Sequence, residues 1–171
     1  MRDHYLMMAD YNGWANRLVY EAVATLSESE FQENKGAFFG SLSGTLNHLL
    51  ATDRIWMRRF TGTGDAPTRL DAVIHTEFAA LADARRAEDE RIAGWIRDLT
   101  EEDLRATFSY TPVSTPTLIT QKLAPALAHL FNHQTHHRGQ CHMILTALGK
   151  PSLSLDLVFF QRTPEGRKHA G

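Results

Sequence analysis

Residues 121–149 read "QKLAPALAHLFNHQTHHRGQCHMILTALG". Advancing about 100° per residue puts Leu123, Leu127, Leu130, Cys141, Leu145 and Leu148 on one stripe, which predicts an amphipathic helix over this stretch. Gly149, followed by Pro151, supplies the left-handed residue and the stop that end it. Five of the chain's 9 histidines lie between His129 and His142. His137 falls inside the apolar stripe, and His133 at its edge, level with Ala126 and Ile144. His129 and His136 lie further round, on the solvated or supporting side, and His142 is on the other flank. The two inward rings are one helical turn apart, so both can address a single point. A buried imidazole must be hydrogen-bonded, shift its pKa or coordinate an ion. The spacing fits a pair of satisfied core histidines and a pair of metal ligands equally well.

Three further segments carry the same period, and together they predict an all-α four-helix bundle. The first runs from about Asp3 to Leu26, with Met7, Tyr11, Trp14, Leu18, Val19 and Ala22 at steps of three and four. In "FFGSLSGTL", Ser41 or Ser43 offers an N-cap for the second, which continues through "NHLLATDRIWMRRF" until "TGTGDAPTR" ends it. The third covers Val73 to Leu99, rich in strong helix formers, with Leu81, Ile92 and Trp95 toward the core. "TEEDL" reads as a capped single turn. "ATFSYTPVSTPTLITQ" then changes character, and predicts a short β-hairpin or extended loop before the last long helix. "SLSLDLVFFQR" reads as a short strand or packing segment, and residues 162–171 as a flexible polar tail. No repeat or second domain is visible, so residues 1–171 are taken as one domain.

The chain's 171 residues suit one domain that needs neither disulfide nor metal to fold. With 18 Lys+Arg against 20 Asp+Glu, both signs interspersed, no basic stripe is available for nucleic acid. The single cysteine excludes an internal disulfide framework, and no apolar run reaches bilayer length. The expectation is a cytoplasmic protein acting on a small molecule, without nucleic-acid or membrane partners.

Two ligands make a weak site, so a third must come from another helix. His48 in "TLNHLLATD" sits in mid-helix at the border of an apolar face, and His4 and His75 rival it. Cys141 reads either as a soft ligand or as a small buried hydrophobe. Asp53, five positions beyond His48, either orients that ring or pairs with Arg138 or Arg54. Arg138 and Gln140 read as a tie between helices or as supporting groups, and Tyr110 as a pocket-mouth or loop residue. Trp14, Trp56 and Trp95 fall at core spacing.

"GTLNHLLATDRIWMRRF", followed some eighty residues later by "LFNHQTHHRGQCHMILTALG", resembles the DinB/YfiT-like superfamily. The resemblance runs from "YNGWANR" to "LDLVFF", and "NHQTHHRGQ" is its most specific piece. It implies an up-down-down-up four-helix bundle, commonly a homodimer. It also implies a divalent metal held by one histidine of the second helix and an H-x-x-x-H pair of the fourth. Carried onto this chain, those ligands are His48, His133 and His137, with zinc or nickel first and iron or manganese also suited to nitrogen donors. Three neutral ligands leave room for a reactant. The implied chemistry is activation of a low-molecular-weight thiol for S-transfer. Metal-dependent hydrolysis, or a non-catalytic metal-binding stress-response role, are the alternatives.

Overall fold

The structure, a computed structural model, describes residues 1–113 and 115–171. Four long helices form the body: α1 (Arg2–Val23), α3 (Leu42–Thr61), α4 (Phe78–Asp98) and α6 (Leu123–Ala147). Between them lie two short helices, α2 (Glu28–Gln32) and α5 (Glu101–Arg105), and an antiparallel hairpin of β1 (Thr107–Tyr110) and β2 (Ile119–Lys122). A short helix α7 (Leu157–Phe160) follows α6. Ser114, inside the expected hairpin loop, lies outside the described residues.

Local chemistry sets the boundaries. Ser41 rather than Ser43 caps α3, its hydroxyl accepting from the Gly44 amide at 3.1 Å. Ser27 and Thr100 each form a reciprocal capping box, with Glu30 and Asp103, to start α2 and α5. After α6, Gly149 adopts φ 75°, and the Lys150 amide reaches back to the Leu145 carbonyl at 3.0 Å, the paired closure that a left-handed residue permits.

Pairings between helices give their directions. Asp53 faces Arg85 and Thr61 faces Arg91, so α3 and α4 run parallel. His48 and Trp56 meet His137 and His129, so α3 and α6 run antiparallel. Tyr5 bonds to Ala124 and Asn12 to Arg138, so α1 and α6 run parallel. Asn16 and Tyr20 of α1 meet Asp89 and Phe78 of α4, which makes that pair antiparallel. The result is the up-down-down-up arrangement. It depends on the long connection between α3 and α4, which carries the chain back to start a parallel neighbour.

Two apolar clusters occupy the ends of the bundle. One is built around Tyr5, Trp56, Ile92 and Leu127, and the other around Val19, Leu46, Leu81 and Ile144. Between them every long helix contributes buried polar groups: Asn12 and Asn16, Asp53, Arg85, and Arg138. Arg85 donates to Asp53 at 2.7 Å and pairs with Asp89 at 3.0 Å, while Asn16 donates to Asp89 at 2.9 Å. Arg138 bonds to Asn12 and Asn16 and lies over the Tyr11 ring. Asp53 and Asp89 thus share the Arg85 cation, while Arg138 is met by two amide oxygens and an aromatic face, the kind of partnering that burial in a low dielectric demands.

Two sequence expectations shift, and one open alternative is resolved. The third long helix begins at Phe78, not Val73, because Asn47 of α3 captures the Ile74 and His75 amides at 2.7 and 3.0 Å and holds that stretch out of the helix. "SLSLDLVFFQR" is a packing segment that ends in α7, whose Phe160 is fully buried against Tyr11 and Trp14. Residues 162–171, expected as a polar tail, lie along α1, where Glu165 pairs with Arg17 at 2.7 Å and His169 with Asp10 at 2.9 Å.

Candidate metal centre

His48 projects from the middle of α3 and His133 and His137 from successive turns of α6, and their ligand atoms all lie within 4.8 Å of one another. His48 and His137 are 4 % and 7 % exposed, with His133 half-buried beside them. Antiparallel packing of α3 on α6 brings the three rings together, since each lies on the face its helix turns to the other.

Hydrogen bonds fix how two of the rings are presented. The Nδ1–H of His48 donates to the Leu70 carbonyl at 2.7 Å, and the Nδ1–H of His137 to Gln140 Oε1 at 2.8 Å. The Gln140 amide nitrogen lies 3.4 Å from His136 Nε2, which favours the carbonyl-toward-His137 orientation. Both rings therefore offer an Nε2 lone pair to the shared space. The Nε2 atoms of His48 and His133 stand 3.3 Å apart. Two lone pairs at that distance need a proton or a cation between them. Nitrogens bound tetrahedrally to one zinc ion are separated by about 3.4 Å, so the donor set fits a divalent metal.

Burial pushes the His48 ring down to about 4, against the Leu70 bond that favours its charged form. His133 is pushed to about 3 by burial and by the neighbouring rings, and burial lowers His137 as well. All three are neutral near pH 7, the form that ligates metal.

One side of the cluster is covered. The Phe39 ring stacks on His48 with centroids 3.8 Å apart and lies 5.6 Å from His137. The other side opens into a cavity of about 480 Å³ lined by His48, Thr52, Trp56, Arg59, Tyr110 and His133, among others. The chemical capacity is that of three neutral donors with reactant space beside them.

Tyr110 lines this cavity, held there by the hairpin and by contact with Trp56 at 5.1 Å. Gln140 orients His137, whereas His136 is exposed and borders the cluster through Gln140 and an edge contact with the His137 ring at 4.8 Å. Arg138 is a tie between α6 and α1. Asp53 does not orient His48, nor does it pair with Arg138 or Arg54; five residues turn it about 140° round the helix, toward α4, where Arg85 takes it. Cys141 is fully buried in the apolar cluster, its thiol pushed up to about 12 by burial, and it belongs to the core. His4 lies near the start of α1 and His75 beside Asn47, both outside the cluster. Trp56 is a core residue that also forms the cavity wall. His129, read as solvated or supporting, lines the cavity, while Phe39, Leu70 and Arg59 carried no signal in the sequence, since they contribute through a turn, a backbone carbonyl and a cavity that only the packed helices create.

The DinB family profile matches residues 1–168. The chain is 23 % identical to Protein DinB of Bacillus subtilis (strain 168), over 91 % of this chain and 92 % of that protein. Its fold is similar to the crystal structure of a DinB-like protein from Bacillus cereus ATCC 10987, with a TM-score of 0.65 and 16 % identity, covering 82 % of this chain and 89 % of that one. YfiT from Bacillus subtilis, described as "a probable metal-dependent hydrolase with an unusual four-helix bundle topology", also aligns with a TM-score of 0.65, at 14 % identity, covering 88 % and 89 % of the two chains. The four-helix arrangement, the three converging imidazoles and the match along nearly the whole chain establish that this protein belongs to the DinB family.

Proposed function

We propose that the protein is a metal-dependent enzyme in which His48, His133 and His137 hold one divalent ion, zinc or nickel before iron or manganese, beside a small-molecule pocket. The observation that carries this reading is the convergence of the three rings with two Nδ1–H groups already committed to Leu70 and Gln140. When bound, such an ion supplies positive charge that lowers the pKa of a coordinated thiol or water. The chain's own residues do the rest. Leu70 and Gln140 hold the ring orientations, Phe39 shields one face, and Trp56 and Tyr110 wall the side from which a reactant enters.

Transfer of a low-molecular-weight thiol to an electrophile is the preferred reaction. Its support is the resemblance carried by "NHQTHHRGQ" and an aromatic-walled cavity large enough for both partners. Hydrolysis is the second reading, favoured by the description of YfiT. A homodimer completes the proposal, on the same family resemblance. Metal-loaded protein incubated with a panel of low-molecular-weight thiols and electrophiles is expected to transfer thiol at a rate that falls on chelation and returns on adding metal. Chelator-sensitive ester or amide hydrolysis with no thiol transfer selects the second reading. Identical rates with and without metal overturn both.

A further inference from the structure

Arg59 lines the same cavity as His48 and His133. Its guanidinium carbon lies 4.6 Å from the centroid of the Trp56 ring and 4.5 Å from that of Tyr110, so the cation is held between two aromatic faces. Its half-burial between the rings lowers its own pKa through desolvation. Yet among the described residues it has neither a carboxylate partner nor a hydrogen-bond acceptor. The other arginines of the bundle interior, by contrast, have acceptors: Arg85 has Asp53 and Asp89, and Arg138 has Asn12 and Asn16. A half-buried guanidinium with five donors and no protein acceptor, facing a cavity, is poised for an acceptor that arrives with a ligand.

Other polar groups of the wall are already occupied or neutral. Thr52 gives its hydroxyl to the His48 carbonyl at 2.9 Å, and Gln121 donates to the Tyr110 hydroxyl at 3.2 Å. The planar fork matches a planar carboxylate in geometry, and Arg59, the one Lys or Arg among the described residues lining this cavity, balances a single negative charge. His48, Thr52, Trp56 and Arg59 follow one another along α3, so the cavity is elongated along that helix. From His48 to Arg59 the helix rises about 16 Å.

We infer that Arg59, clamped between Trp56 and Tyr110, binds a carboxylate of the substrate while the reacting end lies at the three histidines. The substrate class is thus an elongated, carboxylate-bearing small molecule. This rests on the reading of the three histidines as a metal site, and it holds for thiol transfer and for hydrolysis alike.

The test titrates zinc-loaded protein by calorimetry with mercaptopropionate, mercaptohexanoate and mercaptooctanoate, each alongside its methyl ester. Zinc content is measured on wild type, Arg59→Gln, Arg59→Lys and His137→Ala. For at least one chain length the acid is expected to bind wild type about tenfold or more tightly than its ester, the scale of a charge-assisted bidentate contact. Arg59→Gln should erase that preference with zinc content unchanged. Arg59→Lys, which keeps the charge but not the fork, should retain only part of it. Equal affinity for acid and ester at every length, a preference that survives in Arg59→Gln, or failure of all probes to bind zinc-replete wild type would overturn the carboxylate assignment. These results leave the metal reading intact, whereas wild type unable to retain zinc faults that reading instead.

Discussion

His48 and His133 meet through Nε2 atoms 3.3 Å apart although 85 residues separate them in the chain. The contact exists because α3 and α6 pack antiparallel, and it converts two ordinary helix positions into a bidentate donor pair. His137 adds the third nitrogen from the next turn of α6.

Gln140 acts on the site through a single bond to His137, so its removal should weaken metal binding without unfolding the protein. Gln140→Ala is expected to lower zinc affinity by about 10–100-fold, the usual effect of losing an orienting partner of a ligating ring. Competition against a colorimetric chelator reads this directly, and an unchanged affinity would show that the Nδ1 bond does not matter.

Arg85 is the cation that neutralises Asp53 in the middle of the bundle. Arg85→Ala leaves that carboxylate buried and unpaired, and should destabilise the fold by about 3–5 kcal/mol. Replacing the arginine by methionine together with Asp53→Leu should recover part of the loss, because the Asp53–Arg85 pair goes at once and only Asp89, still bonded to Asn16, is left without its cation. Urea denaturation of the three proteins tests the pair; a single variant within experimental error of wild type would show that water reaches the Asp53 carboxylate.

Asp89 shares Arg85 with Asp53, and burial holds its carboxyl up at about 6. The folded state therefore binds a proton that the unfolded chain releases near the ordinary value of about 3.8. Protonation of Asp89 contributes stability that is complete below the unfolded value and is lost as pH rises through about 6. The stability of wild type relative to Asp89→Asn should accordingly fall between pH 4 and 6. Taking the difference removes the opposite trend of the buried histidines. A difference that is flat or rises across this window contradicts the raised carboxyl.

Cys141 is fully buried, with its thiol pushed up to about 12. Native protein should react with an aromatic disulfide reagent only as fast as it unfolds, and bound metal should slow this further. Rapid labelling of the native state would place the thiol elsewhere than in the core.

The parts of the fold legible in the sequence were those written as periodicity or capping. His133 and His137 declared their inward direction because the leucines around them define a stripe, and the Ser41/Ser43 pair, the "TEEDL" turn and Gly149 marked helix ends through chemistry that acts within a few residues. His48 was not separable from His4 and His75 by spacing, since a third ligand is defined by which helices pack together; only the family resemblance selected it. The start of α4 is not readable from the period because the Asn47 side chain, distant in sequence, holds residues 74 and 75 out of the helix. Asp53 was misassigned for a related reason: proximity to His48 along the chain says nothing about which neighbouring helix a residue faces. The Leu70 carbonyl and the Phe39 ring belong to irregular segments with no period to read.

Elemental analysis of protein purified without an affinity tag tests the central claim most directly. Wild type is expected to carry one divalent metal ion per chain, and His48→Ala, His133→Ala and His137→Ala each to lose it while keeping the helical circular dichroism of wild type. Wild type without stoichiometric metal after exposure to zinc and nickel, or a His137→Ala protein that retains a full complement, would contradict it.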